Sequence, residues 1–506
     1  MLFTRQVAAV YGFGFFVLAA LNLTRRQSQP QCASPLPYAP LTNEDVDSPI
    51  LTNALSRIHR IIDEAANASD TASLSVAIVQ DQSVLLTYGN ATSYHSIGSL
   101  TKLFVSLLMM LMRDAGKLSL EDPLTKYIPK YRIRDPYLGR DADPPTLRML
   151  AAHTSGLLRD APYSKNYSEA DMLAYLATVN LLRPPWSSTP AYSNVGFALL
   201  GHALEAVCGG KWGECLKTQV WDRLNMSETG AVATRDQLSN FSPNPYGEEA
   251  MLFDIGYGNP SGSMYSTLTD LVKFVKAFNR NDLGLKPYSI DEWTHPQITL
   301  LNESKAFGMG LELYKLDNIT GWVVTKNGAV LGQTSIIAFY RPLKIGIVAL
   351  CSGETSCTNI GLALLKELHP AVRRQIASGH TQAKYTGVYA GSANHCSWRP
   401  GILNCSATLN IYLHPASDSL LANYSISYTN VSIQNQPAWL IPDQSDKDIG
   451  RFFLVDIAQE CVGNISSLGL IATPKGVPAD LLRFEAAADG QRVVWEAFEI
   501  SMKKLQ

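Results

Sequence analysis

The chain has 506 residues, 46% of them apolar and 17% charged, with a formal net charge of −2. That length exceeds one ordinary core, so one large domain and at least one further domain are expected. The apolar content excludes a disordered chain, and the near-neutral charge leaves no basic footprint for nucleic acid.

The first residues read MLFTRQVAAVYGFGFFVLAALNLTRR, with no charge between Arg5 and Arg25. The run is long for the apolar core of a signal peptide and just long enough to span a bilayer. Residues 1–26 therefore read as a signal peptide cleaved near Ala19 or Ala20, or as a retained signal anchor. Arginines on both flanks leave the orientation balanced. Either reading sends the rest of the chain into the secretory lumen, to be secreted or held at a membrane by the leader alone. Residues 27–50 are proline-rich and polar and read as an extended lead-in.

Periodic structure begins at about residue 51. NALSRIHRIIDEAANA repeats Leu55, Ile58, Ile61 and Ile62 at helical spacing. LSVAIVQ and SVLLTYG predict two strands joined at Asp81-Gln82 as a hairpin. SIGSLTKLFVSLLMMLM predicts a buried helix opening at Ser99. TLRMLAAHTSGL follows, then a loop-rich section to about residue 190 and a helix carrying NVGFALLGHALEAV. TLTDLVKFVKAFN is helical, GWVVTKNG and TSIIAFYRPLKIGIVALCS are strands with a turn near Pro342, and GLALLKELHPAV is a closing helix. The order predicts a sheet assembled from both ends of the domain, residues 51–375, with a helical region inserted between. Beyond ASGHTQAK the texture is all-β, so residues 381–506 are expected to form a separate sandwich or barrel.

Twelve Asn-x-Ser/Thr sequons point to a secreted glycoprotein. Asn22 lies in the leader; the expected acceptors are Asn67, Asn90, Asn166, Asn225, Asn240, Asn302, Asn318, Asn404, Asn423, Asn430 and Asn464. The eight cysteines fit the same compartment. Close spacing suggests Cys208–Cys215, Cys351–Cys357 and Cys396–Cys405, which leaves Cys32 and Cys461 as a fourth pair; free buried thiols are the alternative. Neither CxxC nor HExxH occurs, so no structural zinc and no zincin chemistry are expected.

Three short motifs carry chemistry. Ser99-x-x-Lys102 puts a hydroxyl and an ammonium one helical turn apart, the serine at the dipole-favoured N-terminus. That suits an activated serine nucleophile. Tyr192-x-Asn194 lies in the loop-rich middle and Lys326-x-Gly328 on a late strand. Each motif recurs elsewhere, at Ser501-x-x-Lys504, Tyr428-x-Asn430, Lys211-x-Gly213 and Lys344-x-Gly346. Only the order and context of the first set single it out.

In that order the chain resembles the serine β-lactamase and penicillin-binding protein superfamily, in particular its class C-like branch of β-lactamases, esterases and D-amino-acid peptidases. SIGSLTK, TLRMLAAHTSGL, NPSGSMYSTLTDLVKF, FGMGLEL and KNGAVLG are similar to five ordered blocks of that branch. The C-terminal part resembles the extra β domain of its fungal extracellular members. The resemblance implies an α+β fold: an antiparallel sheet flanked by helices with an inserted helical region, plus a C-terminal all-β domain. It implies Ser99 as the acylated nucleophile and Lys102 and Tyr192 as its proton-handling partners. Lys326 would complete a cationic floor and attract a substrate carboxylate. Asn194 would bind a substrate amide or orient Lys102, and Gly328 would allow close backbone approach. The oxyanion hole would be the N–H groups of Ser99 and Ala329. No metal or cofactor is implied. KNGA lacks the hydroxyl residue that β-lactamases prefer after the lysine, which weighs against a β-lactam specialist.

The expected function is a secreted or lumenal serine hydrolase acting through an acyl-enzyme on an ester, amide or lactone of a small molecule or peptide. An acyltransferase using the same residues, and a silent binding glycoprotein of the same fold, are the alternatives. An α/β-hydrolase is disfavoured because no G-x-S-x-G elbow occurs. His153 is read as a structural hydrogen-bonding residue, Tyr257 and Tyr265 as pocket lining or core, and Met109, Met110 and Met112 as core filler.

Overall fold

The computed structural model describes residues 47–378 apart from 188, 302 and 320, and then 385–395, 403–413, 420–428, 431–442, 451–456, 481–487, 490–495 and 498–505. The chain divides into two compact units, one spanning Tyr38–Gly379 and the other containing His380–Gln506. The leader, nearly all of the lead-in, Cys32, Cys396, Cys461, Asn302, Asn430 and Asn464 lie outside the described residues. Among the described residues no helix is long and apolar enough to cross a membrane.

The larger unit begins with helix α1, Pro49–Ala66, where Ser48 Oγ accepts from the Leu51 N–H and Pro49 fills the first position. Strands β1, Thr71–Gln80, and β2, Ser83–Tyr88, form the expected hairpin, and Asp81 takes a φ of 50° in its two-residue turn. Helix α2, Thr101–Asp114, is almost wholly buried. The inserted region carries helices α3, Leu147–Ala151, and α4, Asn194–Cys208. Helix α5, Leu268–Asn279, starts on a Thr267 cap whose hydroxyl accepts from the Asp270 N–H.

Strands β3 (Ile298–Thr299), β4 (Lys305–Phe307), β5 (Glu312–Tyr314), β6 (Val323–Val330), β7 (Gln333–Tyr340) and β8 (Ile345–Gly353) follow. They join the first hairpin in one antiparallel sheet of order β2-β1-β8-β7-β6-β5-β4-β3. Its N-terminal and C-terminal strands meet at β1 and β8, with Val76 opposite Ala349. This is the sheet built from both ends of the domain that the sequence order predicts.

The core explains why α2 is so apolar. One face of the sheet, with Ala77, Val79, Ile337, Phe339, Val348 and Leu350, packs in a single cluster with Leu103, Phe104, Leu107 and Leu108 of α2 and with Phe274 and Phe278 of α5. Phe278 stacks on Phe339 with ring centroids 4.0 Å apart. Each such side chain contributes about 1.5–3 kcal/mol on burial. Met109, Met110 and Met112 are core, as expected. Helix α6, Cys357–Ser378, packs on α1 and on β7 and β8.

Two of the expected disulfides are present. Cys208–Cys215 ties the end of α4 to the next short helix, and Cys351–Cys357 ties β8 to α6, with Cα separations of 6.3 and 5.8 Å. Cys396–Cys405 and Cys32–Cys461 each involve a residue outside the described ones.

The second unit is an eight-stranded antiparallel barrel closed by pairing of Tyr389 with Lys504. NYSISYTNVSI, one strand candidate in the sequence, is divided between Leu420–Tyr428 and Val431–Pro442, and the latter runs on through AWLIP. VVWEAFEI instead splits between Gly490–Trp495 and Ile500–Lys504. Trp495, Tyr389, Leu409, Leu482 and Met502 fill the interior.

Candidate active site

The segment around Ser99 is a tight turn pressed against a strand edge. Gly98 to Leu100 form one turn of 3-10 helix, and the α-helix proper starts at Thr101. Ser99 thus precedes the first α-helical residue instead of opening the helix, and it is partly exposed. Gly98 has a φ of 53°, and a Cβ placed there would lie 2.7 Å from the Ala329 nitrogen. A Cβ on Gly328 would lie 1.9 Å from the Ile97 carbonyl oxygen. Neither position tolerates a side chain. Ser335 Oγ donates to the same Ile97 carbonyl at 2.8 Å, and Thr101 Oγ1 donates to the Gly98 carbonyl at 2.7 Å. β5 pairs with β6 only as far as Thr325, so the β6 edge at Ala329 is not covered by β5.

Lys102 lies fully buried beneath this turn. Its ammonium donates to Ser99 Oγ at 3.0 Å, to Asn194 Oδ1 at 2.7 Å and to the Ser261 carbonyl. Those three bonds use its three protons. Burial lowers its pKa to about 8, with Lys326 adding to the effect and Tyr192 opposing it. Asn194 therefore faces Lys102, and its Nδ2 donates to Asp160 Oδ1 at 2.6 Å.

Tyr192 is held just before α4. Ser193 caps that helix, its Oγ accepting from the Gly196 N–H at 2.8 Å and donating to the Leu158 carbonyl at 2.6 Å. The Tyr192 ring has Lys102 Nζ 5.1 Å and Lys326 Nζ 5.4 Å from its centroid. Burial alone would raise the phenol's pKa. The two ammonium groups outweigh it, helped by a hydrogen bond from Ser99, and the net shift is downward.

Lys326 is buried and donates to Glu312 Oε1 at 2.5 Å and to the Asn327 carbonyl at 2.9 Å. Burial opposes its charge, but Glu312 and then Tyr192 more than compensate, so its pKa is raised. Asn327 Nδ2 also bonds Glu312 Oε2.

Ser99, Lys102, Tyr192, Asn194 and Lys326 thus come from three separate stretches of chain to one cleft, beside Gly328 and Ala329. Sequence reasoning missed Glu312 and the contact of His153 with Tyr192. Glu312 stands in the quoted FGMGLEL block, and its pairing opposite Thr325 puts it within reach of Lys326. His153, taken as a structural hydrogen-bonding residue, stacks on Tyr192 with centroids 4.3 Å apart. Tyr257 and Tyr265 are core: Tyr257 stacks on His202 and Tyr265 packs against Tyr94. Among the described residues no group of three His, Cys, Asp or Glu could hold a metal ion.

A hydroxyl touched by a lysine whose pKa burial lowers, beside a phenol whose pKa two ammonium groups lower, is an arrangement that can take a proton from the hydroxyl. The chain is similar to several known proteins. The Beta-lactamase family model matches residues 58–363. The chain is 28% identical over 331 residues to beta-lactamase-like protein 2 of Dictyostelium discoideum, covering 60% of each. It is 30% identical over 238 residues to the D-alanyl-D-alanine-carboxypeptidase/endopeptidase AmpH of Escherichia coli (strain K12), covering 45% of this chain and 60% of that one. The chain thus spans about three fifths of the length of each of these relatives. The octameric penicillin-binding protein homologue from Pyrococcus abyssi superposes with a TM-score of 0.54 at 18% identity, covering 89% of this chain and all of that one. At that identity the likeness shows the fold alone.

Proposed function

This chain belongs to the serine β-lactamase and penicillin-binding protein superfamily, a family of hydrolases, and we propose that it is a serine hydrolase working through an acyl-enzyme on Ser99. The observation that carries this reading is the 3.0 Å contact between Lys102 Nζ and Ser99 Oγ beneath the Tyr192 ring. The Ser99 proton passes to the Lys102–Tyr192 pair as Oγ attacks a carbonyl carbon. The resulting oxyanion faces the N–H groups of Ser99 and Ala329, each such donor being worth about 10²–10³ in rate. The same proton then goes to the leaving alcohol or amine, and the Ser99 ester remains. Water resolves it, its proton returning through the pair to Ser99.

The substrate class is an ester, amide or lactone of a small molecule or peptide. Two features support a secreted or lumenal setting. One is the pair of disulfides. The other is the exposure of Asn67, Asn90, Asn166, Asn225, Asn240, Asn318 and Asn404; Asn423 is half-buried.

The test is labelling by a fluorophosphonate probe read by intact mass, with wild type beside Ser99→Ala. A single adduct that disappears in Ser99→Ala is expected. An adduct that survives the substitution, or none at any pH, would exclude the reading. Partition of the acyl-enzyme between water and added alcohols then reports whether water is the acceptor.

A further inference from the structure

Lys326 is the cation that would hold a substrate carboxylate, yet its charge is already answered. Two of its three protons go to Glu312 Oε1 and the Asn327 carbonyl, and the third is drawn to the Tyr192 oxygen. The Lys326 side chain is 1% exposed and the Glu312 side chain 14%, so the pair is largely buried beside Ser99. An incoming carboxylate would meet the Glu312 charge with less screening than in bulk water.

The neighbouring cations are committed as well. Lys102 spends its protons on Ser99, Asn194 and Ser261. Arg159, whose Cζ lies 5.3 Å from the Tyr192 ring centroid, pairs with Asp160 at 3.3 Å. Around Ser99, Lys102, Lys326 and Arg159 face Glu312, Asp160 and a phenol whose pKa is lowered. The aromatic ring of Phe307, 6.1 Å from that of Tyr192, adds an apolar wall.

We propose that Glu312 sets the charge preference of this cleft: it takes acyl donors whose leaving side is uncharged, such as esters and amides, and turns away those ending in a free carboxylate. The inference rests on Ser99 being the nucleophile. It makes Glu312 a specificity-determining residue that acts through Lys326.

The test uses two 4-nitrophenyl phosphonate diesters, identical except that one arm ends in a carboxylate and the other in its methyl ester. Ser99 Oγ forms a bond to phosphorus as the bond to 4-nitrophenolate breaks, and the Ser99 proton goes to the Lys102–Tyr192 pair. Rates of nitrophenolate release are normalised to the uncatalysed reaction, and the adduct is weighed by intact mass. The methyl ester arm should react at least tenfold faster with wild type. In Glu312→Gln the ratio should fall toward one by acceleration of the carboxylate arm, and Glu312→Asp, which keeps the charge, should retain the preference if the first variant folds poorly. Equal or faster reaction of the carboxylate arm with wild type would overturn the inference, as would an unchanged ratio in a folded Glu312→Gln. Absence of any Ser99-dependent adduct from both arms would instead overturn the nucleophile assignment, and this inference with it.

Discussion

The imidazole of His153 lies stacked on the phenol ring of Tyr192 and holds the chain on both sides of it. The His153 carbonyl accepts from the Ala191 N–H at 3.0 Å, and its Nδ1 accepts from the Ser193 N–H at 3.0 Å. His153 itself has a φ of 59°, a conformation that few side chains adopt readily. It is therefore a positioning residue for Tyr192. His153→Phe keeps a ring to stack but loses the acceptor for Ser193. Its kcat on an ester substrate should fall about 10- to 100-fold with little change in KM, because small misplacements of a reacting group cost that much. His153→Asn tolerates the backbone and puts an oxygen near the Nδ1 position, so it should retain more activity than His153→Phe. A His153→Phe variant with unchanged kcat would show that Tyr192 holds its place without this clamp.

The pH dependence of acylation should carry the charges around Tyr192. Protonation of Tyr192 at low pH removes the base, so kcat/KM rises with pH through its lowered pKa. Above about 8, Lys102 loses its proton, the field that favours phenolate weakens, and an alkaline limb follows. The two limbs belong to the coupled pair. Glu312 raises the pKa of both groups, so Glu312→Gln should move both limbs toward acid. A pH–rate profile of each protein decides this; limbs that stay fixed, or that move toward alkali, would remove Glu312 from the electrostatics of the site.

The sheet, the buried helix and the order of the motifs were legible because they rest on local signals: a β-rich apolar run in β1, a continuous apolar run in α2, a polar two-residue turn at Asp81. The recurrences of the motifs fall in unrelated places. Lys344 occupies a left-handed turn position, Tyr428 pairs with Val431 in the barrel, and Ser501 lies on the last barrel strand. Glu312 was not legible, since a glutamate on a short strand reads as a solvated charge. Only the pairing of Glu312 with Thr325 brings it to Lys326. The same holds for His153, whose partners Ala191 and Ser193 are some 40 residues away in the chain. The division of the barrel strands was not legible either, since Gln-Asn-Gln-Pro continues the strand Val431–Pro442.

Three buried histidines set the acid stability. Burial lowers the pKa of His95 to about 4, the Ser93 carbonyl opposing, and that of His369 to about 4, with Arg373 adding to the effect. Burial, Lys102 and Lys326 hold His153 well below the usual imidazole value. The unfolded chain takes these protons at about 6.5 and the folded chain refuses them. The stability they contribute is therefore complete above about pH 6.5 and is lost as pH falls toward 4. The expected slope is at most about 1.4 kcal/mol per pH unit for each residue. Among the described residues His369 Nε2 has no hydrogen-bond partner, and its ring meets the edge of Tyr340. His369→Leu should consequently raise Tm at pH 5 relative to wild type while changing it less at pH 7.5. Thermal unfolding between pH 4.5 and pH 7.5 measures this, and parallel curves for the two proteins would contradict it.

The closest backbone approach in the cleft gives the sharpest structural prediction. Ala at 328 would drive a methyl group to 1.9 Å from the Ile97 carbonyl, and Ala at 98 would add a strained φ of 53° to a 2.7 Å approach to Ala329. In both cases the nucleophile turn must back away from β6, and the N–H groups of Ser99 and Ala329 can no longer converge on one oxygen. Gly98→Ala and Gly328→Ala should each slow fluorophosphonate labelling of Ser99 by about 10² or more, the cost of losing an oxyanion donor. Gly116→Ala is the control. It has a comparable φ of 71° but a Cβ there meets nothing within 4 Å. It should destabilise the fold by the backbone strain alone, about 1–2 kcal/mol, with a matching fall in Tm, and leave labelling unchanged. If Gly328→Ala labels at the wild-type rate while its Tm falls no more than that of Gly116→Ala, the turn and the strand are not held in register by contact, and the oxyanion site must be formed by other groups.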